Sequence, residues 1–264
     1  MVLIVMCQHL YVEEGGHWPQ MNRLEGKVAI VTGASSGIGK GIAQAFCREG
    51  AKLVIASRNR QKLDATADEL RSGGAAVLSV PTDVSREEQV IALFDRNVKE
   101  FGRLDILVNN AGICLQEAPL EETSIKMWQR TLDVNLTGAF LCTREAMKIM
   151  KRQGGGRIIN IGSIAAQMPR PKAAPYNCAK IGLVALTKTT ALEGRAFGVV
   201  ASCLHPGNVA TAMEDGIRPD GSREPMIAVE DLTGVVVTVA SLPLHINMLE
   251  TIVLPADQPY LGRG

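Results

Sequence analysis

Apolar residues along the chain fall into two alternating patterns. Short runs such as Val28-Ala29-Ile30-Val31 and Ile106-Leu107-Val108 carry no polar position at all. A strand without a polar face is covered on both sides, as in a parallel sheet between two helical layers. Runs of this kind predict strands at 27–32, 52–57, 75–81, 104–109, 157–161, 199–205 and 251–254. Between them, apolar residues recur at helical spacing, which predicts helices at about 38–49, 60–72, 85–101, 121–152, 174–197 and 229–241. Sustained strand–helix alternation gives an α/β fold, a doubly wound parallel sheet of about seven strands with helices on both faces. Ligands of such sheets bind at the carboxyl ends of the strands. Thr32, Ser57, Asn109, Ser163 and His205 all stand at or just past predicted strand ends.

Size and charge narrow the picture. A chain of 264 residues, 46% hydrophobic, can bury a full core. Only one dinucleotide-type turn occurs and no Ser/Gly/Pro-rich linker divides the chain, so residues 21–264 are expected to form a single domain. Residues 1–20 show no sustained period and are expected to be a disordered extension, or else Met21 is the natural start. The apolar stretch 1–6 is too short to span a bilayer, and no basic region precedes it as a signal peptide requires, so the chain reads as cytoplasmic. A net charge of +1, with acids and bases interspersed, offers no basic stripe for nucleic acid and no acidic tail. The six cysteines are scattered without a C-x-x-C pair, the pattern of reduced and mostly buried thiols. Cys178 is read the same way, as a small helix residue turned toward the core. The four histidines share no ligand spacing with each other or with the cysteines, so no metal is expected.

The first candidate chemistry is Thr32-Gly33-Ala34-Ser35-Ser36-Gly37-Ile38-Gly39, between the first strand and the first helix. Its spacing is G-x-x-x-G-x-G. Gly33 permits a tight turn, Gly37 lets backbone approach a pyrophosphate, and Gly39 lets helix and strand pack closely. The helix N-terminus adds free N–H groups and a partial positive charge for phosphates. The end of strand two selects the dinucleotide. An acid there would hydrogen-bond the adenosine ribose and repel a 2′-phosphate. Here Ser57-Arg58-Asn59-Arg60 stands instead, so Ser57 and Arg58 can hold a 2′-phosphate and NADP is favoured over NAD. The competing reading makes Arg58 and Arg60 ordinary surface cations at a helix start. Asp83 and the Val84 N–H are placed to address the adenine edge. Asn110, Ala111 and Gly112 follow strand four, where small residues let a cofactor lie on the sheet rim.

The second is Tyr176 and Lys180, one helical turn apart, with Ser163 thirteen residues before Tyr176 and Asn135 earlier still. Hydride transfer at a nicotinamide needs a group that exchanges a proton with the substrate oxygen. A phenol titrates near ~10, so work at neutral pH asks for about three units, or roughly 4 kcal/mol. An ammonium at ~4 Å gives about 1 kcal/mol in bulk water and about 4 at an effective dielectric near 20, so the site must be partly closed. Ser163 can donate to the substrate oxygen as charge develops.

Together these segments resemble the classical branch of the short-chain dehydrogenase/reductase superfamily. The resemblance is carried by T-G-A-S-S-G-I-G at 32–39, N-N-A-G at 109–112 and Asn135 in D-V-N-L. It continues through Ser163 in I-N-I-G-S, Tyr176-Asn-Cys-Ala-Lys180 and Pro206-Gly207, from about Lys27 to the C-terminus. It implies a Rossmann-type sheet and a catalytic set of Ser163, Tyr176 and Lys180, with Asn135 supporting a water-linked proton relay to Lys180. It also implies that Lys180 bonds the nicotinamide ribose, and that Pro206, Gly207, Val209 and Thr211 lie against the nicotinamide. Homodimers or homotetramers paired through the helices at 121–152 and 174–197 are expected. His205 departs from the Asn that often precedes Pro-Gly, a change expected to be tolerated. The tail 253–260 lacks the glycine-rich turn of many members and is closer to NADP-dependent 3-hydroxy acid dehydrogenases, where Tyr260 could order a neighbour's pocket.

The segment 212–230 carries two glycines and two prolines without a clear period and is expected to form the substrate lid. Its modest length suits a small or medium ketone, 3-oxo acid or hydroxy acid. Arg170 and Lys172 either bind a carboxylate or sit on a solvated loop, and three prolines around them favour the loop. The expected activity is NADP(H)-dependent interconversion of a carbonyl and a secondary alcohol. The alternatives are a 3-oxoacyl thioester reductase and, in another class, a non-catalytic NADP-binding sensor or scaffold.

Overall fold

The computed structural model describes residues 22–115, 118–211 and 224–258. Seven parallel strands form one sheet in the order β3-β2-β1-β4-β5-β6-β7. They are β1 (Val28–Thr32), β2 (Lys52–Ser57), β3 (Val77–Pro81), β4 (Ile106–Asn109), β5 (Gly156–Ile161), β6 (Val199–Pro206) and β7 (Glu250–Val253). Each lies within about two residues of its predicted position.

Alternation along each strand divides the core. Ala29 and Val31 of β1, with Leu53 and Ile55 of β2, pack under α1 (Gly37–Arg48), α2 (Arg60–Ser72) and α7 (Val229–Ser241). Ile30, Val54 and Ala56 point the other way, against α3 (Glu87–Phe101) and α5 (Gly138–Gln153). All of these side chains are essentially solvent-free, each contributing about 1.5–3 kcal/mol if a Val, Ile or Leu. α6 (Ala174–Gly194) packs along β6 and ends in a 3-10 turn, Arg195–Phe197.

The helix expected over 121–152 is corrected. A 3-10 turn at Leu120–Glu122 precedes it, and Thr123 is extended. Ser124 then caps α4 (Ile125–Leu132) by accepting from the Met127 N–H at 3.2 Å. Between α4 and α5 the backbone widens into one π turn, Asp133–Thr137, closed by Gly138 N–H to the Asp133 carbonyl. Asn135 lies in that turn. Such bulges re-aim a side chain without ending the helix, and they recur at functional sites.

Because β1 and β4 are neighbours while β2 and β3 lie on β1's other side, chain direction across the sheet reverses between them. A crevice opens there at the carboxyl ends. Thr32 stitches it: its hydroxyl donates to the Val108 carbonyl at 3.2 Å and accepts from the N–H groups of Asn110 and Ala111 at 3.0 and 3.1 Å.

Candidate active site

The glycine turn occupies the β1 side of this crevice. Gly33 has φ +68° and Gly37 φ +52°, the left-handed region that favours glycine. A Cβ on Gly33 would meet the Asn110 side chain at 2.8 Å and the Ala111 backbone at 2.9 Å. Ser35 and Ser36 complete the turn, with Ser36 extended as the N-cap of α1 and without a side-chain capping bond. The first N–H groups of α1, from Gly37, Ile38 and Gly39, have no intrahelical acceptor, which makes this terminus a place for an anion. Thr211 arrives from beyond β6, its methyl 3.6 Å from where a Gly37 Cβ would sit. Gly112 lies 3.5 Å from the Asn135 amide by the same measure.

At the end of β2 the Ser57 hydroxyl is buried with no partner, while Arg58 is exposed beside it. Asp83 is held in place by its own turn. Its carboxylate accepts from the Ser85 N–H at 3.0 Å and the Ser85 hydroxyl at 2.7 Å, and Arg130 stands 3.5 Å away. Burial pushes the Asp83 carboxyl up, but these bonds and the charges of Arg130 and Arg58 outweigh it and hold the group below the ordinary range. The Val84 side chain is buried against Gly138. An orphaned hydroxyl, a cradle that Cβ atoms would fill and a free helix terminus form a chain of features that fits a dinucleotide.

Across the crevice, Tyr176 lies in the first two turns of α6, where Pro175 starts the helix. Lys180 is 6% exposed, with its ammonium 5.5 Å from the centre of the Tyr176 ring and donating to the Ile161 carbonyl at 2.8 Å. That bond ties α6 to the last residue of β5, two positions before Ser163. The Ser163 hydroxyl accepts from the Ala165 N–H at 3.1 Å, which leaves its proton free to be donated. Asn135 is 1% exposed, and its amide both donates to and accepts from the Ile113 backbone, at 2.8 and 2.7 Å. These two bonds fasten Asn135 to Ile113, at the end of the 111–113 segment. Pro206 ends β6, and the Gly207 N–H bonds the Val253 carbonyl at 2.8 Å. Val209 pairs with Ile227 beyond it.

Two supports are less legible in sequence. Asn109, Asn160, Thr143 and Thr187 form a buried relay: Asn109 donates to Asn160 at 2.8 Å and Thr143 at 3.0 Å, and Asn160 donates to Thr187 at 2.8 Å. It pins α5 and α6 to the sheet. The signal that could have found it is a polar residue inside the apolar run Ile158-Ile159-Asn160-Ile161. The other is His205, fully buried, with Nδ1 2.9 Å from the Ser163 carbonyl and 3.3 Å from its N–H. Its Nε2 faces Glu250 at 3.2 Å, and Glu250 also accepts from Gln167 at 2.7 Å. His205 therefore braces the backbone of Ser163.

Burial lowers the His205 pKa, with the Ser163 carbonyl and Glu250 opposing it. The fold thus holds the ring neutral while the unfolded chain protonates near ~6.5, so stability is complete above that pH and lost as pH falls below it. We expect the melting temperature of the wild-type protein to fall more steeply than that of His205→Asn between about pH 6.5 and 5. Parallel melting curves across that range would remove His205 from this role.

Cys178 is corrected: it is exposed, because two residues along a helix turn a side chain away from the Tyr176–Lys180 face. Cys114 is also exposed, while Cys142 and Cys203 are buried and Cys47 is half-buried. Burial pushes the Cys47 and Cys142 thiols up to about 12 and Cys203 to about 11, so these three stay protonated at neutral pH. Arg170 and Lys172 are both exposed, on the loop side of the two readings. Among the described residues no cluster of His, Cys, Asp or Glu could hold a metal ion, and no helix is long and apolar enough to cross a membrane. Residues 212–223 of the expected lid, Tyr260 and the segment 1–20 lie outside the described residues.

The family described as short chain dehydrogenase matches residues 27–222. The 3-oxoacyl-[acyl-carrier-protein] reductase of Synechocystis sp. is 39% identical over 201 residues, 76% of this chain and 81% of that one. Glucose 1-dehydrogenase 2 of Bacillus subtilis is 38% identical over 203 residues, 76% of this chain and 79% of that one. A crystal structure of a candidate gluconate dehydrogenase from Agrobacterium tumefaciens superposes with a TM-score of 0.81 at 35% identity, covering 87% of this chain and 95% of that one.

Proposed function

The chain belongs to the short-chain dehydrogenase family, oxidoreductases that act on CH–OH and C=O groups with a nicotinamide cofactor, and we propose that it is an NADP(H)-dependent carbonyl reductase/alcohol dehydrogenase. The observation that carries this reading is the buried Lys180 ammonium on the Tyr176 ring, tied to β5 beside Ser163. When bound, the nicotinamide supplies or takes up the hydride. Tyr176 delivers a proton to the nascent alkoxide oxygen or removes one in the reverse direction. Lys180 places a positive charge 5.5 Å from the centre of the Tyr176 ring, and its near-complete burial keeps that charge from being screened. Ser163 donates its free hydroxyl proton to the substrate oxygen. Asn135 positions Ile113 and supports a water-linked proton relay to Lys180. In this reading one domain, residues 21–264, holds both ends of the site.

The 2′-phosphate preference rests on the orphaned Ser57 hydroxyl and the exposed Arg58, with no acid at the end of β2. A charged hydrogen bond to phosphate is worth about 1.5–3 kcal/mol, so NADPH is expected to exceed NADH by roughly 10–100-fold in kcat/KM. Replacing Arg58 by Asp should reverse the order, and initial rates with both cofactors measure it. Equal use of the two cofactors by the wild-type enzyme would overturn the NADP reading alone.

The substrate is placed among small or medium ketones, 3-oxo acids and hydroxy acids. Similarity to a glucose dehydrogenase and a gluconate dehydrogenase favours hydroxylated substrates, while similarity to a 3-oxoacyl-carrier reductase keeps the thioester reading open. A panel of small ketones, 3-oxo acids, sugar acids and an acetoacetyl thioester separates these. An assembly of two or four chains is part of the proposal. Ile125, Phe140, Ile181 and Leu192, on α4, α5 and α6, are large apolar residues exposed by 78%, 46%, 46% and 65%, which supports pairing through these helices.

A further inference from the structure

Beyond Ile161, where β5 ends, the backbone is held residue by residue. The Ile161 carbonyl takes the Lys180 ammonium at 2.8 Å, and the Gly162 N–H donates to the Leu204 carbonyl at 2.7 Å. Ser163 is the first residue past the ladder. Its carbonyl accepts from the Ala166 N–H at 3.0 Å and opens the 3-10 turn Ile164–Ala166. Its N–H has one partner among the described residues, the His205 Nδ1 at 3.3 Å. The same Nδ1 lies 2.9 Å from the Ser163 carbonyl oxygen. One ring nitrogen therefore faces both backbone groups of Ser163 and serves one at a time. A bare Nδ1 accepts from the N–H, whereas a protonated Nδ1 donates to the carbonyl.

The ring is tightly enclosed. His205 is fully buried, and a Cβ on Gly162 would meet its Nδ1 at 2.6 Å, its Cε1 at 2.9 Å and the Cys203 Sγ at 3.0 Å. The imidazole is thus packed directly against the backbone that leads into Ser163. Its Nε2 faces the Glu250 carboxylate at 3.2 Å, out of line for a hydrogen bond. With Nε2 against a carboxylate, a neutral ring keeps its proton there and leaves Nδ1 bare. Glu250, on β7, also takes Gln167 at 2.7 Å, with Lys188 of α6 at 3.5 Å. Burial and the Lys180 ammonium of α6 oppose an imidazolium, while the Ser163 carbonyl and Glu250 favour it. The neighbouring Cys203 thiol of β6 stays protonated at neutral pH.

We propose that His205 is a positioning residue for Ser163 that acts through its own proton. The inference rests on the reading of Ser163 as donor to the substrate oxygen. The neutral ring holds the Ser163 N–H and keeps the hydroxyl where the substrate oxygen arrives. An imidazolium releases that N–H, donates to the Ser163 carbonyl and moves the residue from its working register. Turnover then falls in acid, although Tyr176 and Lys180 both keep their protons there.

The test is the pH profile of kcat for reduction of a neutral ketone under saturating cofactor. Reduction draws a proton from Tyr176, and acid does not take that proton away, so Tyr176 adds no acid limb in this direction. Circular dichroism and cofactor titration at each pH confine the comparison to folded, loaded enzyme. The wild-type chain is expected to lose about threefold or more between about pH 7 and 5. His205→Asn, whose amide does not titrate, should lose less than about 1.5-fold. Glu250→Gln removes a charge that favours the imidazolium, so its acid limb should move to lower pH while the rate near neutral pH is unchanged. A residue that only filled space would lower the rate equally at every pH. Superimposable profiles for wild type and His205→Asn, or a Glu250→Gln limb that stays or moves to higher pH, would overturn the role. If His205→Asn does not fold, Glu250→Gln decides. Loss of turnover in Tyr176→Phe upholds the proposed reaction whichever way these profiles fall.

Discussion

Phenylalanine at position 176 is expected to lower kcat by roughly 10²–10⁴-fold, the usual contribution of a positioned acid or base. Cofactor affinity should stay within about twofold, since the substitution removes one oxygen and leaves the ring. The ring is half-buried at the start of α6, with the Lys180 ammonium 5.5 Å from its centre, so a phenyl group fills the same space under the same charge. The loss should appear in kcat and kcat/KM together, because proton transfer belongs to the transition state. Removing Lys180 is a poorer test. Its ammonium is buried and bonded to the Ile161 carbonyl, so a shortened side chain would disturb the sheet end as well as the chemistry. Single-turnover kinetics with a saturating cofactor, together with a cofactor titration, separate the outcomes. A Tyr176→Phe enzyme that still reduces its best ketone at near wild-type rate would falsify the acid/base assignment. Full loss of turnover with intact cofactor binding would also exclude the sensor reading for the wild-type chain, which must then have been catalysing.

Much of this architecture is legible in sequence because parallel strands buried on both faces leave an unambiguous mark. Val28-Ala29-Ile30-Val31 cannot be read as an amphipathic helix, and its positions divide between the two core layers. The glycine turn is equally legible, since positive φ at Gly33 and Gly37 is a demand that sequence records directly. What sequence hides has physical causes. Five residues of π backbone at Asp133–Thr137 hardly alter a helical hydrophobic period, so a bulge inside a long helix is invisible to periodicity. Residue type assigns Cys178 to the core, but position on the helix overrides type: the face carrying Tyr176 and Lys180 is the inward one. Arg157, Asn160 and His205 disappear into strands whose apolar neighbours set the pattern. Whether a buried polar group is bonded or idle depends on residues 27 to 89 positions away, and no local rule reports that.

Alanine in place of Gly39 is expected to cost more than any other single methyl group in the described cofactor crevice. A Cβ there would lie well inside van der Waals contact of both the Gly33 carbonyl oxygen and the Asn110 side-chain nitrogen. Neither can retreat cheaply. The Asn110 amide donates to the Thr32 carbonyl at 3.0 Å and so closes the crevice between β1 and β4. Gly33 is fixed by its own left-handed turn, and its carbonyl accepts from the Asn110 amide at 3.4 Å. The added methyl must therefore push α1 away from β1. That displaces the helix N-terminus from the ends of the strands and moves the N–H groups of Gly37 and Ile38 that would face the pyrophosphate. Overpacking of this kind destabilises by about 1–3 kcal/mol, or roughly 2–5 °C in melting temperature for a chain of this size. Cofactor affinity should fall at least tenfold, because the phosphate-binding amides move together. Calorimetric melting and cofactor titration report the two effects independently. A Gly39→Ala protein that melts and binds as the wild type does would show that α1 can shift without moving the turn, and the phosphate site would then have to lie elsewhere on the rim.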